Sequence, residues 1–197
     1  MSVTDLTIQH LRNILSEARK VVFFTGAGIS TESGIPDFRS PGGIWTKYKP
    51  IEFRDFVASE EMRRESWRRK FKTDHVVKNA KPNDGHKAIA LLNKNGLVSS
   101  VITQNIDDLH QRSGIPDEQI IELHGNGTYA ACLSCRKRVE LQEIRQLFEV
   151  DEEILDCDAC GGILKTATIS FGQQMPEAEL LRAERESLAC ALFFVVG

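Results

Sequence analysis

The sequence predicts an α/β fold, a doubly wound parallel sheet of the Rossmann-like kind carrying a small inserted metal-binding module. Three observations predict it. Short apolar runs bounded by polar turns alternate with segments of helical periodicity, which is the pattern of strand–helix–strand units. The first apolar run, Val21 to Phe24, leads directly into Gly26-Ala27-Gly28, the kind of strand-to-turn junction at which such sheets bind nucleotides. Four of the five cysteines fall in two C-x-x-C pairs late in the chain, a spacing that suits metal knuckles.

Taken in order, Leu6, Ile8, Leu11, Ile14 and Leu15 recur at helical spacing, so the first twenty residues predict an amphipathic helix packed on the sheet. Val21 to Phe24 reads as a strand buried on both faces. Gly26 and Gly28 let the backbone turn sharply and approach a ligand that a Cβ would exclude. Backbone N–H groups at such a turn, with the helix N-terminus that follows, form a site for pyrophosphate. The glycine pair alone would also serve a tight connecting turn. It is not the dehydrogenase fingerprint, because G-x-G-x-x-G requires a third glycine where Thr31 stands, and the next glycine is Gly34. Beyond Pro36, the residues Asp37, Phe38 and Arg39 place an acid, a ring and a cation together, a combination that a plain connection does not need.

Between Pro41 and Pro82 the chain is charged and aromatic. Arg63, Arg64, Arg68, Arg69, Lys70 and Lys72 read as the solvated face of helices in preference to a dedicated anion site. Asp84 is a candidate N-cap for a helix running through Leu92 and stopping near Gly96. Val98 to Thr103 predicts a second buried strand, ending at Gln104-Asn105, and Gln119 to Leu123 a third, ending at His124-Gly125. Ligands of doubly wound sheets sit at the carboxyl ends of strands, and three polar motifs fall there: Thr25 to Gly28, Gln104 to Asp107, and His124. A short strand near Thr168 to Phe171, a helix from about Pro176 to Ala189 and a last strand, Ala191 to Val196, complete the pattern. The compositional break divides the chain into a nucleotide-binding unit, 1–127 with 167–197, and a module over 128–166.

Cys132-x-x-Cys135 and Cys157-x-x-Cys160 are two knuckles that together offer four thiolates to a tetrahedral ion. Zinc fits this spacing better than an iron–sulfur cluster. Four protein ligands leave no open position, so the ion is expected to be structural. Cys190 precedes an apolar strand and is expected to be a core thiol. Of the five histidines, His10, His75, His86 and His110 lie in helical or loop contexts that suit surface or packing roles. His124 differs, since it ends a strand and precedes a glycine; its position alone allows either packing or catalysis.

Composition sets the outer limits. A chain of 197 residues that is 41% hydrophobic can bury a substantial core, and a net charge of −3 offers no global basic field for nucleic acid. The N-terminus lacks the basic region and apolar run of a signal peptide, and no stretch approaches the roughly 18–20 apolar residues of a membrane span. A soluble, cytoplasmic protein with no membrane partner is expected, and paired cysteines suit metal binding in its reducing environment.

The stretch from Gly26 through Trp45, GAGISTESGIPDFRSPGGIW, resembles the signature of the sirtuins, the NAD-dependent protein deacylases. Thr103-Gln104-Asn105-Ile106-Asp107 is similar to that family's nicotinamide-pocket motif, Glu122-Leu123-His124-Gly125 to its catalytic histidine segment, and the cysteine spacing to its zinc module. The resemblance implies NAD as co-substrate, structural zinc and an acyl-lysine protein or peptide as partner. Asp107 would then hold the nicotinamide carboxamide, with Ile106 and Ile35 walling the pocket. Asn105 would order ribose and water, Phe38 would cover the reacting face, and Ala27, Ser30 and Arg39 would help hold the phosphates and ribose. Pro36, Asp37 and Gln104 belong to the same cofactor segments. His124 would be the general base on a ribose hydroxyl, after the weakly nucleophilic amide oxygen has been positioned against the anomeric carbon.

Two departures bear on substrate choice. Phe171-Gly172-Gln173 stands where the family usually carries FGE, and Trp67-x-x-Lys70 stands nearest to the Tyr-x-x-Arg of members that prefer acidic acyl groups. The first leaves main-chain pairing with an extended acyl-lysine peptide in place, and the second implies acetyl or another uncharged acyl. The family domain continues past a Val-Val-Gly such as Val195-Val196-Gly197 with a GTS-like turn and a segment that binds the adenosine half of NAD. A truncated family domain is therefore expected. An inactive or regulatory NAD-binding fragment, a mono-ADP-ribosyltransferase and a zinc-module interaction protein are the alternatives, and the broken glycine fingerprint argues against an oxidoreductase.

Overall fold

The computed structural model describes residues 3–37 and 49–197. Helix α1 (Val3–Glu17) leads into β1 (Val21–Thr25), and a 3-10 helix over Ala27–Ser33 follows it. Helices α2 (Phe53–Ala58), α3 (Glu60–Asn79) and α4 (Asp84–Lys94) precede β2 (Val98–Thr103). The one-turn α5 (Leu109–Arg112) leads to β3 (Ile120–Glu122). Next come β4 (Gly125–Cys132), β5 (Arg138–Glu140), α6 (Leu141–Asp151) and β6 (Leu164–Thr168). Helix α7 (Glu177–Ala189) then returns the chain to β7 (Leu192–Val196).

β1, β2, β3 and β7 form a parallel sheet in the order β3-β2-β1-β7. Alternate side chains of β1 enter opposite cores, which is why its sequence is apolar throughout. Val21 and Phe23 join Ile89 of α4 and Leu15 of α1 on one face, while Val22 joins Ile102, Ile121 and Ala183 of α7 on the other. Each such side chain contributes about 1.5–3 kcal/mol on burial. The chain steps from β1 to β2 to β3 in one direction, then crosses to the far side of β1 for β7. That reversal puts a crevice at the carboxyl end of β1, between its two neighbours.

The second sheet is antiparallel, in the order β5-β4-β6. Its core holds Ile144, Phe148 and Leu164 beside Cys132 and Cys157, and it borrows Trp67 and Phe71 from α3. The Trp67 and Phe71 rings stack at 5.5 Å, and Phe71 lies 5.5 Å from Phe148. Asp74 of α3 fastens the same junction, with Lys70 at 2.7 Å and Arg145 of α6 at 2.6 Å. Burial would raise its carboxyl, but hydrogen bonds and charge from Lys70 and Lys78 outweigh that and hold it below the usual carboxylate range.

Several local expectations shift. Asn83, not Asp84, caps α4: its Oδ1 accepts the N–H groups of Gly85 at 2.9 Å and His86 at 3.4 Å. The strand expected near Thr168 to Phe171 lies earlier, at Leu164–Thr168, because pairing with β4 ends there and Ser170 to Gln173 form a turn. Helix α6 was not anticipated at all. Within the basic run on α3, Arg64, Arg68, Arg69 and Lys70 are paired with acids of their own helix and of α6's C-terminal end, as in Arg69–Glu65 at 2.6 Å and Arg68–Glu152 at 2.6 Å, while Arg63 donates to the Phe56 and Val57 carbonyls. Among the described residues, no helix is long and apolar enough to cross a membrane.

Candidate active site

The carboxyl ends of β1, β2 and β3 converge on one cleft of about 740 Å³. At its base the Gly26 N–H donates to the Val196 carbonyl at 2.9 Å, so the glycine turn is tied to the end of β7. Gly28 has no room for a side chain, since a Cβ there would lie 2.3 Å from the Gly197 carbonyl carbon. Beneath the turn, the Thr25 hydroxyl meets the Thr103 hydroxyl at 2.9 Å and His110 Nε2 at 2.8 Å.

The Gln104–Asp107 segment is locked onto this turn through buried polar side chains. Asn105 Nδ2 donates to the Gly26 carbonyl at 2.9 Å and reaches Ser30 Oγ at 3.3 Å. Ser30 Oγ donates to Asp107 Oδ2 at 2.6 Å. The other Asp107 oxygen accepts the Leu109 N–H at 3.0 Å, the local acceptor role that Asp plays at the start of a helix. An apolar strand end, a short carboxylate and a nearby hydroxyl thus yield a fixed acid just under the cleft.

His124 leaves β3 and is followed by Gly125, which holds φ 71 and packs so tightly that a Cβ would lie 2.0 Å from the Ala167 carbonyl oxygen. Its Nδ1 lies 3.1 Å from the Gln104 carbonyl. A carbonyl only accepts, so Nδ1 carries the hydrogen in this contact, and in the neutral ring Nε2 is then the acceptor. The two deeply buried histidines are of another kind. Burial pushes His110 down to about 3, with His86 adding to the effect. Burial also lowers His86, against the charge of Asp107.

The opposite wall is the segment from Thr168 to Met175. Lys165 Nζ, which burial pushes down to about 8, donates to the Thr168 carbonyl at 2.5 Å. The Phe53 N–H donates to the Phe171 carbonyl at 2.8 Å. Gln173 closes a turn on Ser170 with its own N–H at 3.0 Å and its Oε1 at 3.1 Å. The amide oxygen performs there an acceptor role that a carboxylate could also fill.

Gly28, Ala27, Asp37, Gln104, Asn105 and Ile106 line the cleft with His124. Ser30 and Asp107 are buried next to it, joined to Asn105 through the bonds given above. Ile35 and Pro36 adjoin the same segment without lining the cleft. Phe38 and Arg39 lie outside the described residues.

The four predicted metal ligands are also brought together. The Sγ atoms of Cys132, Cys135, Cys157 and Cys160 all lie within 4.8 Å of one another. Cys132 and Cys160 are 3.5 Å apart, and Cys135 and Cys157 are 3.6 Å apart. A tetrahedral ion with Zn–S bonds of about 2.3 Å requires edges of roughly 3.8 Å, so the cluster fits zinc. The N–H groups of Cys135 and Ser134 point at Cys132 Sγ and lower its pKa to about 6, favouring the thiolate that a metal binds.

The Sir2 family model matches residues 26–197. The chain belongs to the Sir2 family. The NAD-dependent protein deacetylase 1 of Bradyrhizobium diazoefficiens is 53% identical over 190 residues, which cover 96% of this chain and 74% of that relative. The NAD-dependent protein deacylase of Pyrococcus abyssi is 37% identical, covering 96% and 76%. A solved structure described as Sir2 with p53 peptide and NAD+ superposes with a TM-score of 0.84 at 35% identity, covering 96% of this chain and 75% of that one. Another, with deacetylated p53 peptide and 3'-O-acetyl ADP ribose, gives 0.82 at 34% identity, covering 96% and 76%.

For this Sir2 chain, the proposed counterpart of the acidic-acyl pair stands elsewhere. Trp67 is buried in the second core and Lys70 is paired with Asp74; neither lines the cleft. Sequence reading also passed over Asp108 and Asn126, which join the Asn105–Asp107 segment to the His124 turn. Their only signal was proximity to the motifs, because a hydrogen-bonded pair 18 positions apart leaves no periodic trace.

Proposed function

We propose that this Sir2-family chain is an NAD-dependent protein-lysine deacylase. The observation that carries the reading is the placement of His124: it lines a cleft walled by the glycine turn and Asn105, and its Nδ1 is committed to the Gln104 carbonyl, so that Nε2 of the neutral ring is the atom able to accept a proton. The cleft fits NAD, because a close-packed glycine turn at a topological switch point admits a dinucleotide backbone. When bound, NAD supplies a nicotinamide–ribose bond whose cleavage generates an electrophilic anomeric carbon.

The chain's own residues prepare that chemistry. Gly26, Ala27, Gly28 and Arg39 would hold phosphate and ribose, while Asp107, steadied by Ser30, would accept from the nicotinamide carboxamide. Ile35, Pro36 and Ile106 would border its ring, with Asp37, Phe38 and Gln104 closing the pocket. Asn105 would order ribose and water, and His124 Nε2 would take a proton from a ribose hydroxyl. Main-chain groups of the Thr168–Met175 segment would pair with an extended acyl-lysine peptide. No Lys or Arg is found among the described residues lining the cleft, and Asp37 is one of them; an uncharged acyl group such as acetyl suits that lining. Zinc on the four cysteines would hold together the module over 128–166, leaving 1–127 and 167–197 as the NAD-binding unit. A cytoplasmic location, where the thiols stay reduced, suits both.

The test is to incubate the chain with NAD and an acetyl-lysine peptide and to follow free nicotinamide. Peptide-dependent release with deacetylated product is expected. Release without peptide would point to ADP-ribosyl transfer or hydrolysis, and no release at all would overturn the reading for this polypeptide.

A further inference from the structure

Asn126 lies two residues beyond His124, at the start of β4, and is 3% exposed. Every hydrogen-bonding position of its amide is used. Nδ2 donates to Glu122 Oε1 at 2.8 Å and to Asp108 Oδ1 at 3.3 Å. Oδ1 accepts the Thr128 N–H at 2.8 Å and its hydroxyl at 2.6 Å. Because the Thr128 N–H can only donate, the oxygen end of the amide is fixed and the NH2 end faces the two carboxylates.

Each partner adjoins the cleft machinery. Asp108 follows Asp107 directly and holds φ 66, a conformation that a non-glycine residue keeps only under constraint. Glu122 stands two residues before His124. Main-chain bonds cross the same seam: Leu123 N–H to the Thr103 carbonyl at 3.0 Å, and Gly127 N–H to the Ile106 carbonyl at 2.8 Å. Side chains cross it too: His124 Nδ1 to the Gln104 carbonyl, Gln111 Nε2 to Glu122 Oε1 at 2.7 Å, and Asn126, the one of these that bridges two acids. Only a short side chain with two hydrogens on one nitrogen satisfies both acids; Ser and Thr have one, Asp has none, and Gln is a methylene too long. Burial raises the Asp108 and Glu122 carboxyls; the Asn126 hydrogen bond opposes it at Asp108, and Gln111 followed by Asn126 opposes it at Glu122. Without Nδ2, two half-buried acids lose the donor they share, Glu122 keeping only Gln111 Nε2 at 2.7 Å, and the seam is expected to open.

We propose that Asn126 is a positioning residue, which ties the Asn105–Asp108 segment to the His124 turn and so keeps His124 in its Nδ1-protonated form with Nε2 as the acceptor. Its kinetic consequence rests on the deacylase reading of that cleft. The full chain is compared with Asn126→Ala and with the milder Asn126→Ser, which keeps one donor. Long-range proton–nitrogen NMR of the His124 ring reports the tautomer without turnover. One Nδ1-protonated form is expected for the unaltered chain, with a growing Nε2-protonated share from Asn126→Ser to Asn126→Ala. In the deacetylation assay, kcat per folded molecule is expected to fall about 10- to 100-fold for Asn126→Ala, with KM for NAD changed less than about threefold. A purely structural role would lower the folded fraction and leave the tautomer and the kcat of folded molecules as they were. Should Asn126→Ala fail to fold, Asn126→Ser carries the comparison. Ring signals identical to the unaltered chain in every folded variant would overturn the proposal. An altered tautomer in a chain that releases no nicotinamide would support the positioning role and count against the deacylase reading alone.

Discussion

Ser30 and Asp107, 77 positions apart in sequence, are joined by a 2.6 Å hydrogen bond in the protein interior. The hydroxyl donates, and the carboxylate gains its partner from a turn that the β1 strand carries to it. Ser30→Ala would leave Asp107 Oδ2 without that donor. A loss of about 1–3 kcal/mol is expected by denaturant titration. A higher KM for NAD in the nicotinamide-release assay should accompany it, because the acid would no longer be held in one orientation. An unchanged KM would show that Asp107 is oriented by Leu109 N–H alone.

His124→Ala removes the imidazole that lines the cleft while leaving the glycine turn and Asp107 intact. Deacylation should be abolished, and NAD affinity by calorimetric titration should stay within severalfold of the unaltered chain. Turnover near the original rate would remove His124 from the chemistry.

The buried histidines predict a pH dependence of stability. His110 is pushed down to about 3 in the folded protein by burial and by His86, against roughly 6.5 in an unfolded chain. The unfolded state therefore binds the extra proton first. Stability is fully present above about pH 6.5 and falls as pH drops toward 3, with a slope of at most about 1.4 kcal/mol per pH unit for this one group. His110→Gln should flatten that part of the melting-temperature profile. An equally steep profile in the variant would assign the acid sensitivity to other groups.

Metal removal should act through the second core. Cys132 and Cys157 pack among Trp67, Ile144, Phe148 and Leu164, so losing the ion would loosen both the knuckles and the seat of α3. Elemental analysis should find one zinc per chain. A strong chelator should lower the melting temperature and dull the Trp67 near-ultraviolet signal before the parallel sheet melts. Full retention of both after proven zinc loss would show that packing alone holds the module.

Much of the site was legible in the sequence because the parallel strands are buried on both faces. Val21–Thr25 and Val98–Thr103 are so apolar that their ends, and the polar motifs placed there, stand out. Where neighbouring residues compete for one role, sequence reading slipped. Asn83 and Asp84 are both good caps, and only the geometry of Asn83 Oδ1 against Gly85 and His86 decides between them. Ile169 and Phe171 look like strand residues, yet the ladder with β4 stops at Thr168. Helix α6 carries Leu141, Ile144 and Phe148 at helical spacing, but its charges masked the stripe.

By itself the sequence determined the strand–turn junctions, the absence of the dehydrogenase glycine, the four-cysteine metal set and the resemblance that unites them, because each is a local pattern of residue types. Tertiary structure alone decided that β7 lies beside β1 and creates the crevice. It also set the hydrogen bond that commits His124 Nδ1 to the Gln104 carbonyl, and it joined Asp108 and Glu122 through Asn126. Those relations depend on which distant segments the folded chain brings within hydrogen-bonding reach, and no local periodicity records a bond of that kind.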